Sequence, residues 1–209
     1  EMQDYSYMQY LILQLLFDCR MTILGDRAQT LDKKQQDVLK FLPKIFGKEM
    51  RTVIMNKSYR NTWEIATYAA EINGDKEIEL LERHGRDVEE RRFESEDDML
   101  SKIAENVSES LNPDNGKFET AAVITMTEEE AFDLYRMLKK QGVDVSYIDR
   151  NSSAFKKGLT VTTFYLAKGL EFDQVFAIRG AKDNPLSKQA EYISATRALH
   201  ELYVYAYEK

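Results

Sequence analysis

Four short stretches of the chain carry groups that could hold a phosphate-rich ligand. After the apolar run MTIL come Gly25, Asp26 and, three residues further on, Gln29. After RTVIMN come Lys57, Ser58, Tyr59 and Arg60, and after LTVTTF come Lys168, Gly169 and Glu171. Thr196 and Arg197, in ATRA, fall just inside the last helical pattern. In an open parallel sheet, ligands gather beyond the carboxyl ends of the strands, so the residues that follow apolar runs are the informative ones. Guanidinium stays charged and offers forked donors to phosphate oxygens. Each stretch alone has a plainer reading: a turn at Gly25-Asp26, a surface salt bridge at either arginine, a loop at Lys168-Gly169. The opening EMQDYS precedes the helical run YMQYLILQLLF. Its acids either complement the helix macrodipole or belong to a nucleotide-hydrolysis site.

The elements that must position these groups alternate between strand and helix. Residues 4–18 read as a helix, RMTILGD as a strand, RTVIMN as a short β-run, and NTWEIATYAAEI as a helix stopped by Asn73-Gly74. RDVEERRF alternates like a strand. SEDDMLSKIAENVSESL places Leu100, Ile103, Val107 and Leu111 on one helical face, with Ser95 at its start and the turn NPDNG after it. TAAVITM is a strand, and TEEEAFDLYRMLKKQG a helix with a Thr127/Glu130 capping box that closes on Gly142. DVSYI, LTVTTF and QVFAIRG are further strands; a helix over 187–199 leads to the alternating LYVYAY. Strands separated by helices predict βαβ units and a parallel sheet. The charge run RHGRDVEERR reads as a solvated strand edge, and Tyr203, Tyr205 and Tyr207 as one face of a half-buried strand rather than a base-stacking platform.

With 209 residues, 43% hydrophobic and 31% charged, the chain has material for one domain, or one domain and part of another. Its longest apolar run, YLILQLLF, is too short to span a bilayer, and no leader pattern is seen, so no membrane partner is expected. A single cysteine, Cys19, allows no internal disulfide and fits a reducing cytoplasm. Cys19, His84 and His200 lack the spacing of a zinc site. The net charge of −7 is opposite to the basic footprint of a free-standing nucleic-acid-binding module, so any such surface is confined or shared.

Taken in order, the stretches resemble the motifs of the UvrD/Rep-like superfamily 1 helicases. GDRAQT looks like motif III, NKSYRNTWEI like motif IV, AKGLEFDQV like motif V and EYISATRAL like motif VI; EMQD looks like the tail of motif II, the Walker B sequence. Residues 75–159 carry no signature of the family. The resemblance implies a RecA-like α/β fold, a P-loop-NTPase-like parallel sheet flanked by helices. Residues 1–30 would close the first RecA-like lobe, 31–50 would link, and 51–209 would form the second lobe (2A) without a large 2B insertion. The chain would then begin inside the active site.

By the same resemblance, Glu1 would activate the attacking water, Gln3 would lie near the nucleotide, and Gln29 would sense the γ-phosphate. Tyr59 and Arg60 form the core of motif IV and would bind ATP; Arg60 and Arg197 would act as arginine fingers. Glu171 would contact the ribose. Thr162, Thr163 and Lys168 would touch the nucleic-acid backbone or relay its occupancy. The implied cofactor is ATP with Mg²⁺, and the implied partners are the N-terminal RecA-like lobe in cis and single-stranded or duplex DNA, with DNA repair as one setting. An Arg197→Ala change is expected to lower turnover and leave folding nearly untouched.

Three features depart from the family pattern. No GxxxxGK(S/T) phosphate loop occurs in the chain, nor the Walker B aspartate that holds Mg²⁺, so these 209 residues alone are expected to be inactive. No aromatic follows GDRAQT, and motif V reads Thr-Thr-Phe-Tyr where a histidine is common. The YLAKGLEFD wording without room for 2B resembles the HelD/helicase IV branch, whose HelD-type members act on RNA polymerase. Two alternatives follow: a HelD-like ATPase that remodels or recycles RNA polymerase, and a non-catalytic RecA-like protein-binding module.

Overall fold

Runs rich in apolar, β-branched and aromatic residues form the centre of a parallel sheet, and amphipathic segments cover it. The computed structural model describes residues 1–31, 38–47, 50–55, 57–74, 79, 80, 82–112, 114, 116–152, 156–180 and 184–207. The chain divides into two compact units, Glu1–Asn56 and Lys57–Lys209.

In the first unit a single 3-10 turn (Met2–Asp4) precedes α1 (Tyr7–Leu16), and a second (Arg27–Gln29) precedes α2 (Val38–Phe46). Ser6 caps α1 with a full capping box: its hydroxyl accepts from the Gln9 N–H while the Gln9 side chain accepts from the Ser6 N–H. Met2, Tyr10, Val38 and Leu42 form a small core. The strand expected over 20–26 is not formed. Extended backbone there makes one ladder-like bond, from the Met2 N–H to the Leu24 carbonyl at 2.9 Å, and has no strand to pair with among the described residues. The β-run expected over 51–56 also fails across its described part, 51–55. Val53, Ile54 and Met55 are 67%, 81% and 84% exposed, so their β-propensity meets no neighbour on a pleated surface. Residue 56 lies outside the described residues.

The second unit begins with β1 (Lys57–Ser58), which pairs in parallel with β2 (Glu79–Leu80) around α3 (Trp63–Asn73). The main sheet comprises β3 (Glu89–Phe93), β4 (Thr120–Thr125), β5 (Val145–Tyr147), β6 (Gly158–Thr163), β7 (Phe172–Ile178) and β8 (Ala198–Tyr207). Its six strands run in the order β3-β8-β7-β4-β6-β5, every pair parallel. Intervening helices are α4 (Glu96–Ser110), α5 (Glu128–Lys140) and α6 (Ser187–Ala195). Ser95 and Thr127 cap α4 and α5 as the sequence suggests, each hydroxyl accepting the N–H three residues on. One sheet face buries Val123, Val161, Phe176, Tyr203 and Tyr205 against Leu100 and Ile103 of α4 and Leu134 and Leu138 of α5. The alternate residues face the other way, toward the side on which α6 and α3 pack. This is the RecA-like α/β architecture expected from the strand–helix alternation.

Smaller differences concern ends. The last helix stops at Ala195 rather than continuing to Leu199, because Thr196 closes it and the chain enters β8 at Ala198. The turn over 112–116 is present in its described residues, the Gly116 N–H donating to the Asn112 carbonyl at 2.7 Å; residues 113 and 115 lie outside them. Among the described residues no helix is long and apolar enough to cross a membrane.

Candidate functional site

Three segments remote in sequence meet at the amino ends of β7 and β8. Arg60 lies between β1 and α3, Glu171 directly before β7, and Arg197 directly before β8. The Arg60 Nη2 sits 2.9 Å from Glu171 Oε1, with the two side chains 46% and 43% exposed. An ion pair this open to solvent contributes roughly 0–1 kcal/mol, so Arg60 is cheaply diverted to a stronger anion. Arg197 differs: at 2% exposure its guanidinium is buried. Its Nη1 donates to the Leu170 carbonyl and its Nε to the Ile193 carbonyl, each at 3.3 Å, and its Nη2 to Thr196 Oγ1 at 3.1 Å. Its own carbonyl accepts from the Phe172 N–H at 3.0 Å, locking the two strand starts together.

Two residues outside the named candidates hold this arrangement. The buried Asn61 donates from Nδ2 to the Ala198 carbonyl at 2.6 Å and reaches the Thr196 carbonyl at 3.4 Å. Arg83 donates from Nη2 to the carbonyls of Arg60 and Leu199, both at 2.7 Å. Asn61 falls in the NKSYRNTWEI stretch directly after Arg60, and the signal at Arg83 was slight: Gly85 interrupts a charge run two residues on.

The expectation that the informative groups lie beyond the carboxyl ends of the strands is therefore corrected for Glu171 and Arg197. The chain returns from the end of β6 to the start of β7 in residues 164–171, with Gly169 at φ +86°. A side chain at that φ would be strained, so glycine suits the turn. This short return carries Lys168, half-buried, and delivers Glu171 to the opposite end of the sheet. Arg197 arrives there because α6 runs antiparallel to the strands.

Thr162 and Thr163 are at the carboxyl end of β6 and are buried. The Thr162 hydroxyl donates to the Ile148 carbonyl at 3.1 Å. Around them, side chains bind one another. Glu128 Oε1 accepts from the Tyr165 hydroxyl at 2.6 Å and from Arg150 Nε at 2.8 Å. Beyond β7, Arg179 donates to both oxygens of Glu191, to the Tyr68 hydroxyl at 2.8 Å, and pairs with Glu90 at 2.6 Å. Burial alone would raise the Glu191 pKa, but hydrogen bonds from Arg179 and Tyr68, with the Arg179 charge, hold it below the ordinary glutamate value. Tyr59, on the other side of Arg60, exposes its ring, with the Lys57 Nζ 5.8 Å from the ring centre.

The first unit gathers the remaining candidates into one polar ladder. Gln3 Nε2 donates to Glu1 Oε2 at 2.7 Å, and Gln3 Oε1 accepts the Asp26 N–H at 3.1 Å. Asp26 then accepts from the Ala28 N–H at 2.9 Å and from Gln29 Nε2 at 2.8 Å. Gly25 makes this approach possible, since a Cβ there would lie 2.4 Å from Met2 Cβ and 2.5 Å from Gln3 Oε1. The EMQD and GDRAQT stretches thus form one hydrogen-bonded cluster.

No family model matches the chain, and no curated protein does. Among solved structures, it is similar to the C-terminal domain of a possible DNA helicase from Lactobacillus plantarum WCFS1. The two are 26% identical with a TM-score of 0.57, over 71% of this chain and 87% of that one. Arterivirus nonstructural protein 10, a helicase solved in complex with DNA, matches at 14% identity and a TM-score of 0.41, over 70% of this chain and 30% of that one; a likeness so distant decides nothing. The parallel sheet, its flanking helices and the Lactobacillus match together make the fold that of a helicase-like, RecA-type α/β domain.

Proposed function

We propose that the chain is the C-terminal motor half of an ATP-dependent helicase or translocase of the UvrD/Rep-like type, supplying one side of an interlobe ATP site. The observation that carries this reading is the convergence of Arg60, Glu171 and Arg197 from three separate segments at one end of the sheet. The first unit is then the closing part of one RecA-like lobe and the second unit the other lobe. The reading requires a phosphate loop from outside these 209 residues, since none occurs in them.

In this reading Arg60 leaves Glu171 for a phosphate oxygen. The vacated carboxylate is then available as a hydrogen-bond acceptor for the ribose, and the exposed Tyr59 ring offers a face to the base. Arg197 reaches phosphate only if it gives up its carbonyl partners, which couples its use to a shift of the 164–171 return. Glu1, aligned by the Gln3 amide, orients and activates water, and Gln29, held on Asp26, senses the γ-phosphate. These groups fit an ATP ligand by donor chemistry: guanidinium for phosphate, carboxylate for ribose hydroxyl and water. Mg²⁺, which needs few protein carboxylates beside phosphate oxygens, would neutralise the phosphate charge when bound. Hydrolysis loosens the grip between lobes, and movement along a strand follows from their opening and closing.

A second reading, an ATPase that remodels RNA polymerase, is favoured by the burial of Thr162 and Thr163, which leaves their hydroxyls turned away from any strand. Lys168 keeps its proposed contact with the nucleic-acid backbone in the first reading. Steady-state ATP hydrolysis by the intact protein, with and without single-stranded DNA, separates the two. Strong stimulation by DNA is expected for a translocase; a rate indifferent to DNA moves the assignment to the polymerase-associated form, and no hydrolysis under either condition overturns both.

A further inference from the structure

The segment 83–85 lies over the start of α3 and the start of β8. Arg83 places one nitrogen, Nη2, against the carbonyls of Arg60 and Leu199, each at 2.7 Å. A terminal guanidinium nitrogen carries two N–H groups, so both bonds are satisfied together. The Arg83 carbonyl in turn accepts the Trp63 N–H at 2.8 Å. One residue therefore holds the 60–63 segment at both ends and ties it to the strand that follows Arg197. Gly85 permits the approach, for a Cβ there would meet Thr62 Cγ2 at 2.6 Å and the His200 carbonyl at 3.3 Å. His84 and the Gly85 N–H both bind Glu64 at 2.8 Å, pinning the strap to the first turn of α3.

The Arg83 Nε is buried and has no hydrogen-bond partner among the described residues. An unsatisfied buried donor costs free energy. A side chain that served packing alone would gain nothing from carrying it; what the guanidinium supplies is the pair of carbonyl bonds. Among the described residues, the Arg60 side chain has its open pair with Glu171. Its reach is fixed through its backbone, and the backbone is fixed by Arg83 and by the neighbouring Asn61.

We propose that Arg83 is a positioning residue that sets where Arg60 meets the phosphate. It does so as a cross-tie between the segment that bears Arg60 and the start of β8. The inference rests on the proposed function. Misplacing a reacting group by about 1 Å can cost on the order of a hundredfold in rate, and loss of the tie exposes Arg60 to such an error.

The test is a double-mutant cycle on ATP turnover by the intact protein, using Arg83→Ala, Arg60→Ala and the pair, with urea unfolding of each. Arg83→Ala is expected to lower kcat by about tenfold or more with little change in KM, and to lower it by less than about twofold when Arg60 is already alanine. A merely structural role would give the same factor in both backgrounds, which would overturn the proposal, as would wild-type kcat in Arg83→Ala. If Arg83→Ala does not fold, Arg83→Lys, which keeps the charge and a donor, is judged by the same ratio. If Arg60→Ala alone turns over like wild type, the proposed function falls and this inference with it. If Arg60→Ala is slow and Arg83→Ala is not, only this inference falls.

Discussion

At the amino ends of β7 and β8, three polar side chains bind backbone carbonyls. Asn61 holds the Ala198 carbonyl, Arg83 those of Arg60 and Leu199, and Arg197 those of Leu170 and Ile193. At the carboxyl ends, polar side chains bind each other: Arg150 and Tyr165 close on Glu128, while Arg179 and Tyr68 close on Glu191. Bonds to carbonyls fix where the chain goes. Bonds between charged side chains cancel charge and leave nothing to offer. The exposed Arg60–Glu171 pair also lies at the amino end, and it is a pair that an anion could take apart. The two ends of one sheet thus divide between holding loops in place around an exchangeable cation and sealing a charge network.

That division breaks most visibly at Arg197. Its alanine variant should lose turnover and also roughly 1–3 kcal/mol of stability, because buried carbonyls lose their donor. Urea unfolding checks this; unchanged stability would instead bear out the sequence expectation that removing Arg197 leaves folding nearly untouched. Asn61→Ala should cost about 1–3 kcal/mol by leaving the buried Ala198 carbonyl unbonded, and should lower turnover by misplacing Arg60. Stability loss without a change in turnover would show that the amino-end ties serve the fold alone.

The carboxyl end should respond to pH and leave catalysis untouched. Glu191 has a folded-state pKa held below the ordinary value of 4.5. A depressed carboxylate stabilises fully above its unfolded value, and that contribution is lost as pH falls through the folded value. Unfolding free energy of the wild type should therefore fall below about pH 4.5 more steeply than that of Glu191→Gln. Turnover of the variant at neutral pH should stay within about twofold of wild type. A large loss of turnover there would erase the contrast between the two ends.

How far the sequence anticipated this differs by element. TAAVITM and LTVTTF announce strands through their apolar and β-branched residues, and Ser95 and Thr127 announce helix starts through the N–H groups they accept. MTIL and RTVIM carried the same signal and formed no strand, since β-propensity says nothing about whether a partner is present. The candidate residues Arg60, Glu171 and Arg197 could be picked from their chemistry and order. Their meeting at the amino ends could not, because it depends on the short return over 164–171 and on the direction of α6. The run RHGRDVEERR read as a solvated edge, and β3 is indeed an edge strand. Yet Arg83 turns inward to two carbonyls and Arg86 donates to the Tyr203 hydroxyl at 2.8 Å, contacts that only tertiary packing specifies. Thr162 and Thr163 looked available because a strand end usually is; here both faces of β6 are covered.

The central claim is that the amino end of this sheet presents a cation to phosphate. It is tested most directly by ATP turnover of the intact protein carrying Arg60→Ala, set beside its unfolding free energy. Loss of an open ion pair should change stability by less than about 1 kcal/mol, while loss of an arginine finger should lower kcat on the order of a thousandfold or more. Wild-type turnover in that variant would contradict the account.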